Sequence, residues 1–238
     1  MNILLLGKNG LLGQALYAVF PDASYSTRQQ LDLTDLSALH HFLCQSAPSV
    51  IINAAAYTAV DLAETEPEPC YRINHEAVQV LADYATTHRA LLVHFSTDYV
   101  FDGLAQTPYT ETHPCSPLNR YGHSKLLGEH AILDSGCAHL IFRLGWLYGI
   151  KGQHFVSRIA ALAQQQKQLA VVTDQTGTPT PVEWVAHVVL QALQAYQQQR
   201  LPKGVYHLSP NGSCTWFDLA HAILTQLRQT AHLKGQPI

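Results

Sequence analysis

The chain opens on a short apolar run, "ILLL", that ends at a glycine and continues as "GKNGLLG", with glycines at 7, 10 and 13. From Leu11 to Phe20 the apolar residues recur at helical spacing, so the glycines fall at a strand-to-helix turn. Gly7 can take the tight turn, Gly10 lets backbone amides approach an anion, and Gly13 lets the helix close on the strand. The unpaired amides and the positive end of the helix then face that anion. The turn therefore predicts a seat for a dinucleotide pyrophosphate.

Further apolar runs follow: "ASYS", "SVIINAA", "LLVHFST", "HLIFRLGW", "LAVVTD" and "GVYHLS", separated by segments of helical periodicity. Their alternation predicts an α/β fold, a doubly wound parallel sheet with helices on both faces. Runs that are apolar without interruption fit strands buried on both sides. Thr34 and Thr215 are placed as helix N-caps, Pro117 as the opening of the helix that carries Tyr121, and another helix is expected from Val182. Residues 1–150 are expected to form a Rossmann-like dinucleotide-binding domain. Residues 151–238 are expected to form a small substrate-binding part interleaved with the last sheet elements.

With 47% hydrophobic and 13% charged residues, the 238-residue chain can bury a substantial core. Its net charge of -3 lacks the basic footprint of a nucleic-acid binder. The longest apolar stretches are strand-sized, short of the ~20 residues that span a bilayer. The N-terminal run also lacks the basic flank and cleavage site of a signal peptide. No membrane partner and a cytoplasmic location are thus expected. None of the five cysteines lies in a CxxC, which fits reduced thiols, and none of the fourteen histidines has metal-ligand spacing, so no metal is expected. Glutamine-rich patches at 164–166 and 197–199 read as solvated helix ends.

Tyr121 and Lys125 stand four residues apart in "SPLNRYGHSK". On one helix they share a face, so the ammonium can approach the phenol. A free phenol, with a pKa of about 10, is a poor acid near neutrality. A unit charge ~5 Å away at an effective dielectric of ~20 is worth roughly 3 kcal/mol, which would bring the phenol to around 8 provided the cation outweighs desolvation. "FSTDYVF" supplies Ser96 and Thr97 at the carboxyl end of a strand, the end where doubly wound sheets bind ligands. Singly, each residue has an ordinary structural use: a surface aromatic, a lysine paired with Glu129 one turn on, a strand terminator. Following a glycine-rich turn in this order, they predict hydride chemistry, with the tyrosine as acid, the lysine as its partner and the threonine as carbonyl anchor.

An NAD site usually places a carboxylate at the end of the second strand, but "ASYSTRQQ" offers Ser26, Thr27 and Arg28 there. Arginine beside hydroxyls suits a 2′-phosphate, through charge-assisted contacts. NADPH is the expected cofactor and NADH the alternative, with Asp32 close enough in sequence to favour the latter.

The glycine spacing resembles that of the short-chain dehydrogenase/reductase superfamily. Nearly the whole chain resembles the dTDP-4-dehydrorhamnose reductase family of its extended branch, through "GKNGLLG", "LDLTD", "VIINAAAYTAVDLAE", "FSTDYVFDG", "PYTET", "SPLNRYGHSKLLGE", "FRLGWLYG" and "DQTGTPT". The resemblance implies NAD(P)H-dependent reduction of a dTDP-4-keto-6-deoxy-sugar to dTDP-L-rhamnose. Tyr121, Lys125 and Thr97 would be catalytic, while Thr97, Asp98 and Trp146 would bind substrate. Gly7, Gly10, Leu11, Leu12 and Gly13 would lie against the pyrophosphate, and Asp32 and Leu33, with Arg28, toward the adenosine. Ala56, Tyr57, Thr58 and Phe95 would run along the cofactor, with Tyr121 and Lys125 at its nicotinamide end. A homodimer is left open. Gly145 departs from the hydroxyl residue usual in the family, and the family continues beyond Ile238 with a segment that closes the nucleotide-sugar site, so the substrate part is expected to be incomplete. Two rivals share the resemblance. One is the non-catalytic regulatory subunit of methionine adenosyltransferase, disfavoured by the intact Thr97, Tyr121 and Lys125. The other is a nucleotide-sugar epimerase or dehydratase; Tyr99, where 4,6-dehydratases carry glutamate, favours simple reduction.

Overall fold

The computed structural model describes residues 1–166 and 168–233. Residue 167 and residues 234–238 lie outside the described residues. Six parallel strands form the central sheet: β1 (Ile3–Leu6), β2 (Ser24–Ser26), β3 (Val50–Asn53), β4 (Leu91–Thr97), β5 (Ala138–Leu144) and β9 (Gly204–His207). Their spatial order is β2-β1-β3-β4-β5-β9. The chain runs outward from β1 to β2 and then returns past β1 to β3. That reversal opens a crevice between the carboxyl ends of β1 and β3, where ligands bind in sheets of this kind.

Successive strand residues point to opposite faces, and each face carries its own core. Leu5, Ile52, Val93 and Phe142 pack with Leu12 and Leu16 of α1 (Leu11–Val19) and with Val185 and Val189 of α8 (Val182–Gln197). Leu4, Leu6, Ile51 and Leu92 pack on the other face with Leu39 and Leu43 of α2 (Leu36–Ser46) and with Val78 and Leu81 of α5 (Ala77–His88). Ile132 of α6 (Arg120–Ser135) joins that second core. The doubly wound parallel sheet is the arrangement that uninterrupted apolar runs separated by amphipathic helices favour.

Between β3 and α5 lie α3 (Val60–Thr65), α4 (Pro67–Tyr71) and a π-helical turn, Arg72–Glu76. After β5 come β6 (Leu147–Tyr148), α7 (Phe155–Gln165), β7 (Thr176–Gly177), β8 (Thr180–Pro181), β10 (Cys214–Thr215) and α9 (Trp216–Leu233), which form two short ribbons, β6 with β8 and β7 with β10, and a packed helix pair, α7 with α9.

Three local expectations are corrected. The run "LAVVTD" is no strand: β9 takes the place beside β5, and residues 169–174 run over the surface with the Val172 carbonyl accepting from Phe217 N–H. Helix α6 starts at Arg120 rather than Pro117, because Asn119 Oδ1 accepts from Gly122 N–H at 2.7 Å and so caps it. Asp35, not Thr34, caps α2 by accepting from Ala38 N–H, while Thr34 is bound to Asp32. Thr215 does cap α9, exchanging hydrogen bonds with Asp218.

Candidate active site

The glycine turn is fixed by close approach. Gly7 sits at φ +80°, and a Cβ there would come within 2.5 Å of Ala55 N. A Cβ on Gly13 would come within 2.0 Å of Gly7 O, so α1 is pressed onto the turn. At Gly10 the nearest atom is Gly7 O at 3.3 Å, which leaves the outer face of the turn open beside the N-terminus of α1. Lys8 is clamped between two aromatic faces, with Nζ 3.3 Å from the Tyr25 ring centre and 3.7 Å from that of Tyr17. Leu12 is in the core, so only its backbone can meet a phosphate, while Leu11 is partly exposed.

Arg28 is exposed just beyond β2. Asp32 Oδ1 accepts from the Thr34 N–H and hydroxyl, each at 2.9 Å. Those bonds, the backbone one first, hold its carboxyl below the usual range, with a smaller pull from Arg28. Leu33 packs on the sheet core. Ala56 and Thr58 are exposed after β3, and Tyr57 is tied by its backbone to Asn74. Phe95 packs against Phe142 in the core, which leaves its main chain to face a cofactor. Two buried hydroxyls, Ser96 Oγ and Tyr57 Oη, have no hydrogen-bond partner among the described residues. Buried polar atoms are normally paired. With the open face at Gly10, these hydroxyls fit a nicotinamide dinucleotide laid from the glycine turn toward β4.

The catalytic candidates converge at the carboxyl end of β4. Thr97, Asp98, Tyr121 and Trp146 line one cavity of about 200 Å³, with Ser96, Tyr99 and Gly145. Ligand pockets commonly start near 300 Å³, so this one suits the reacting end of a ligand. Thr97 Oγ1 donates to Asp98 Oδ1 at 3.1 Å and accepts from Tyr99 N–H. Asp98 is exposed as a residue, yet its carboxyl turns inward: a Cβ on Gly145 would lie 2.4 Å from Asp98 Oδ2. Gly145 thus leaves room for that carboxylate. Burial raises Asp98 to about 6 against the pull of the Thr97 hydroxyl.

Tyr121 differs from expectation. Burial pushes its phenol up to about 12, with the Thr97 hydroxyl opposing and the Asp98 charge adding. The reason is where Lys125 goes. The residue is 2% exposed, and Nζ lies 3.2 Å from His94 Nε2, between α6 and β4. Burial lowers Lys125 to about 8, against the raising influence of Glu129 and Cys70. Desolvation therefore outweighs the cation at Tyr121. Glu129 does not pair with Lys125 either, because it forms a buried bridge with Arg143.

Several contributors were not singled out from the sequence. Asn74, on the π-helical turn, binds the Tyr57 N–H and C=O and donates to Ser124 Oγ, joining the loop after β3 to α6. A π-turn often marks a functional site, but a polar residue inside a helix carries no such signal in one sequence. Asn53 and His94 form a buried chain behind Lys125. Trp146, at φ 49°, stacks on Trp216 with ring centres 3.4 Å apart, and a Cβ on Gly177 would strike its indole. Among the described residues no cluster of metal-ligating side chains occurs, and no helix is long and apolar enough to cross a membrane.

A family model described as the RmlD substrate binding domain matches residues 1–238. The dTDP-4-dehydrorhamnose reductase of Escherichia coli (strain K12) is 38% identical over 236 residues, covering 96% of this chain and 79% of the relative. A crystal structure of dTDP-4-dehydrorhamnose reductase from Bacillus anthracis in complex with NADP aligns with a TM-score of 0.88 at 33% identity, covering 96% of this chain and 82% of that one. The corresponding structure from Clostridium acetobutylicum aligns at 0.87 and 36% identity, covering 94% and 80%.

Proposed function

The chain belongs to the dTDP-4-dehydrorhamnose reductase family, and from that premise we propose that it reduces the 4-keto group of a dTDP-6-deoxy-4-keto-hexose to give dTDP-L-rhamnose. NADPH is the donor, with NADH as the alternative. The observation that carries this reading is the meeting of Thr97 and Tyr121 on one cavity at the carboxyl end of β4, with Lys125 sealed behind them.

A bound nicotinamide supplies hydride to the carbonyl carbon. The Thr97 hydroxyl, which otherwise donates to Asp98, turns to donate to the carbonyl oxygen and orients it. Tyr121, raised to about 12, reaches the reaction with its proton in place at neutral pH and gives it to that oxygen as negative charge develops there. The Lys125 ammonium, with its pKa at about 8, is the prevailing form at neutral pH and stabilises the phenolate left behind. Asp98, at about 6, is ionised at neutral pH and accepts from a sugar hydroxyl. The Trp146 indole forms an apolar wall against which the sugar ring packs. The five unpaired cysteines suit a reducing compartment, which supports a cytoplasmic location.

The test is the loss of NADPH absorbance when the purified chain meets the dTDP-keto-sugar, with dTDP-L-rhamnose identified as product. NADPH binding without turnover would instead support a binding-only protein related to regulatory subunits.

A further inference from the structure

The Lys125 nitrogen, buried beside the cavity, rests on a chain of side chains whose donors and acceptors can be assigned. Asn53 Oδ1 accepts from Ala55 N–H at 3.2 Å, and Ala55 is held by its close approach to Gly7. With the oxygen so committed, the Asn53 Nδ2 amide faces His94 Nδ1 at 3.2 Å. That imidazole nitrogen must then accept, so in the neutral ring the proton sits on Nε2. Nε2 lies 3.2 Å from Lys125 Nζ. An N–H there bonds to an amine lone pair and opposes an ammonium, which has only donors. All three side chains are buried, so no solvent relieves a mismatch.

We infer that His94, fixed from behind by Asn53, is a positioning residue for Lys125: its Nε2–H receives the lysine as the neutral amine and makes this resting place unfavourable for the ammonium. The charged lysine is thereby turned toward the cavity side, where the reaction needs it. The other groups that face Lys125 do not supply this bias. Glu129 and Tyr121 share its helix, but Glu129 is committed to Arg143 of β5, and Cys70 on α4 favours the charged form. His94 itself is held well below the usual imidazole range, by burial first and then by Lys125, so it remains the neutral donor.

The inference rests on the proposed role of Lys125, and one arm of its test needs no turnover. Proton–nitrogen correlation NMR of the full chain labelled with 15N-histidine reads the tautomer directly. The expected result is a His94 ring with pyridine-type Nδ1 and protonated Nε2, assigned by its loss in His94→Gln and by its displacement in Lys125→Met. The second arm follows the pH dependence of NADPH affinity and of kcat/KM in His94→Gln, whose amide oxygen can turn toward Nζ and accept from the ammonium. The alkaline limb should move up by about half a pH unit or more, a threefold change in proton affinity. A protonated Nδ1, or a folded His94→Gln with both profiles unmoved, overturns the inference. Failure of turnover with the keto-sugar alone would count against the proposed function and leave the tautomer result standing.

Discussion

Glu129, one turn beyond Lys125 on α6, gives its carboxylate to Arg143 of β5, with Oε2 2.6 Å from Nη2 and Oε1 2.9 Å from Nε. Both side chains are nearly inaccessible, at 1% and 7% exposure. The bridge fastens α6, which carries Tyr121 and Lys125, to the sheet and takes up the carboxylate of Glu129. Removing one partner of a buried pair leaves an uncompensated charge, so Glu129→Ala should cost about 3–5 kcal/mol. Glu129→Ala with Arg143→Leu should cost less than Glu129→Ala alone, because no stranded charge remains. Urea unfolding measures both; a loss under about 1 kcal/mol for Glu129→Ala would show that the bridge contributes little.

Gly10 and Gly13 of the turn should separate. Gly13→Ala sets a Cβ against Gly7 O and should break the packing of α1 on the turn, lowering thermal stability and NADPH affinity together. Gly10, at φ −72°, has a conformation any residue adopts, and a Cβ there meets Gly7 O at 3.3 Å, a tight contact that a shift of a few tenths of an ångström relieves. Gly10→Ala should keep stability within about 0.5 kcal/mol, as surface changes usually do, yet weaken NADPH binding. Thermal melts and fluorescence titration distinguish them, and equal effects of the two substitutions on stability would refute the steric reading.

Asp98 makes stability depend on pH. Its carboxyl is raised from 3.8 to about 6 in the fold, so its contribution is fully present below about pH 4 and is lost as pH rises through about 6. Asp98→Asn removes this loss. The variant should gain on the parent between about pH 4 and pH 6 and hold a constant margin above, with the size reduced by the solvent that reaches the residue. Parallel stability curves across that window would mean that the carboxyl is not desolvated.

Much of this was legible because the physics behind it is local. An apolar strand ending in spaced glycines before a helix specifies the turn, and runs such as "SVIINAA" and "LLVHFST" became central strands because they are apolar on both faces. "LAVVTD" looked the same and was not, since only one segment can pair beside β5 and "GVYH" does. Tyr121 and Lys125 share a helix as their spacing requires, but spacing could not reveal that Lys125 is drawn onto β4 to meet His94. That contact joins residues 31 apart in sequence, and the Asn53 contact behind it joins residues 41 apart. Partners at such separations leave no periodic trace.

Cofactor choice should lie with Arg28. Charge-assisted hydrogen bonds contribute about 1.5–3 kcal/mol, so Arg28→Ala should weaken NADPH binding by roughly ten- to a hundredfold and leave NADH nearly unchanged. Asp32, bound to Thr34, should not compensate. Paired titrations of both cofactors decide it, and equal losses for NADPH and NADH would remove the 2′-phosphate from the account.

The central claim is that Tyr121 gives the proton as the carbonyl is reduced, and Tyr121→Phe tests it most directly by keeping the ring and deleting the hydroxyl. The measurement is single-turnover oxidation of NADPH with the dTDP-keto-sugar, beside a titration of NADPH affinity. Positioned acid catalysis is worth about a hundred- to ten-thousandfold, so the rate should fall by that order while affinity stays within about threefold. A variant that retains more than half the parent rate would contradict the account.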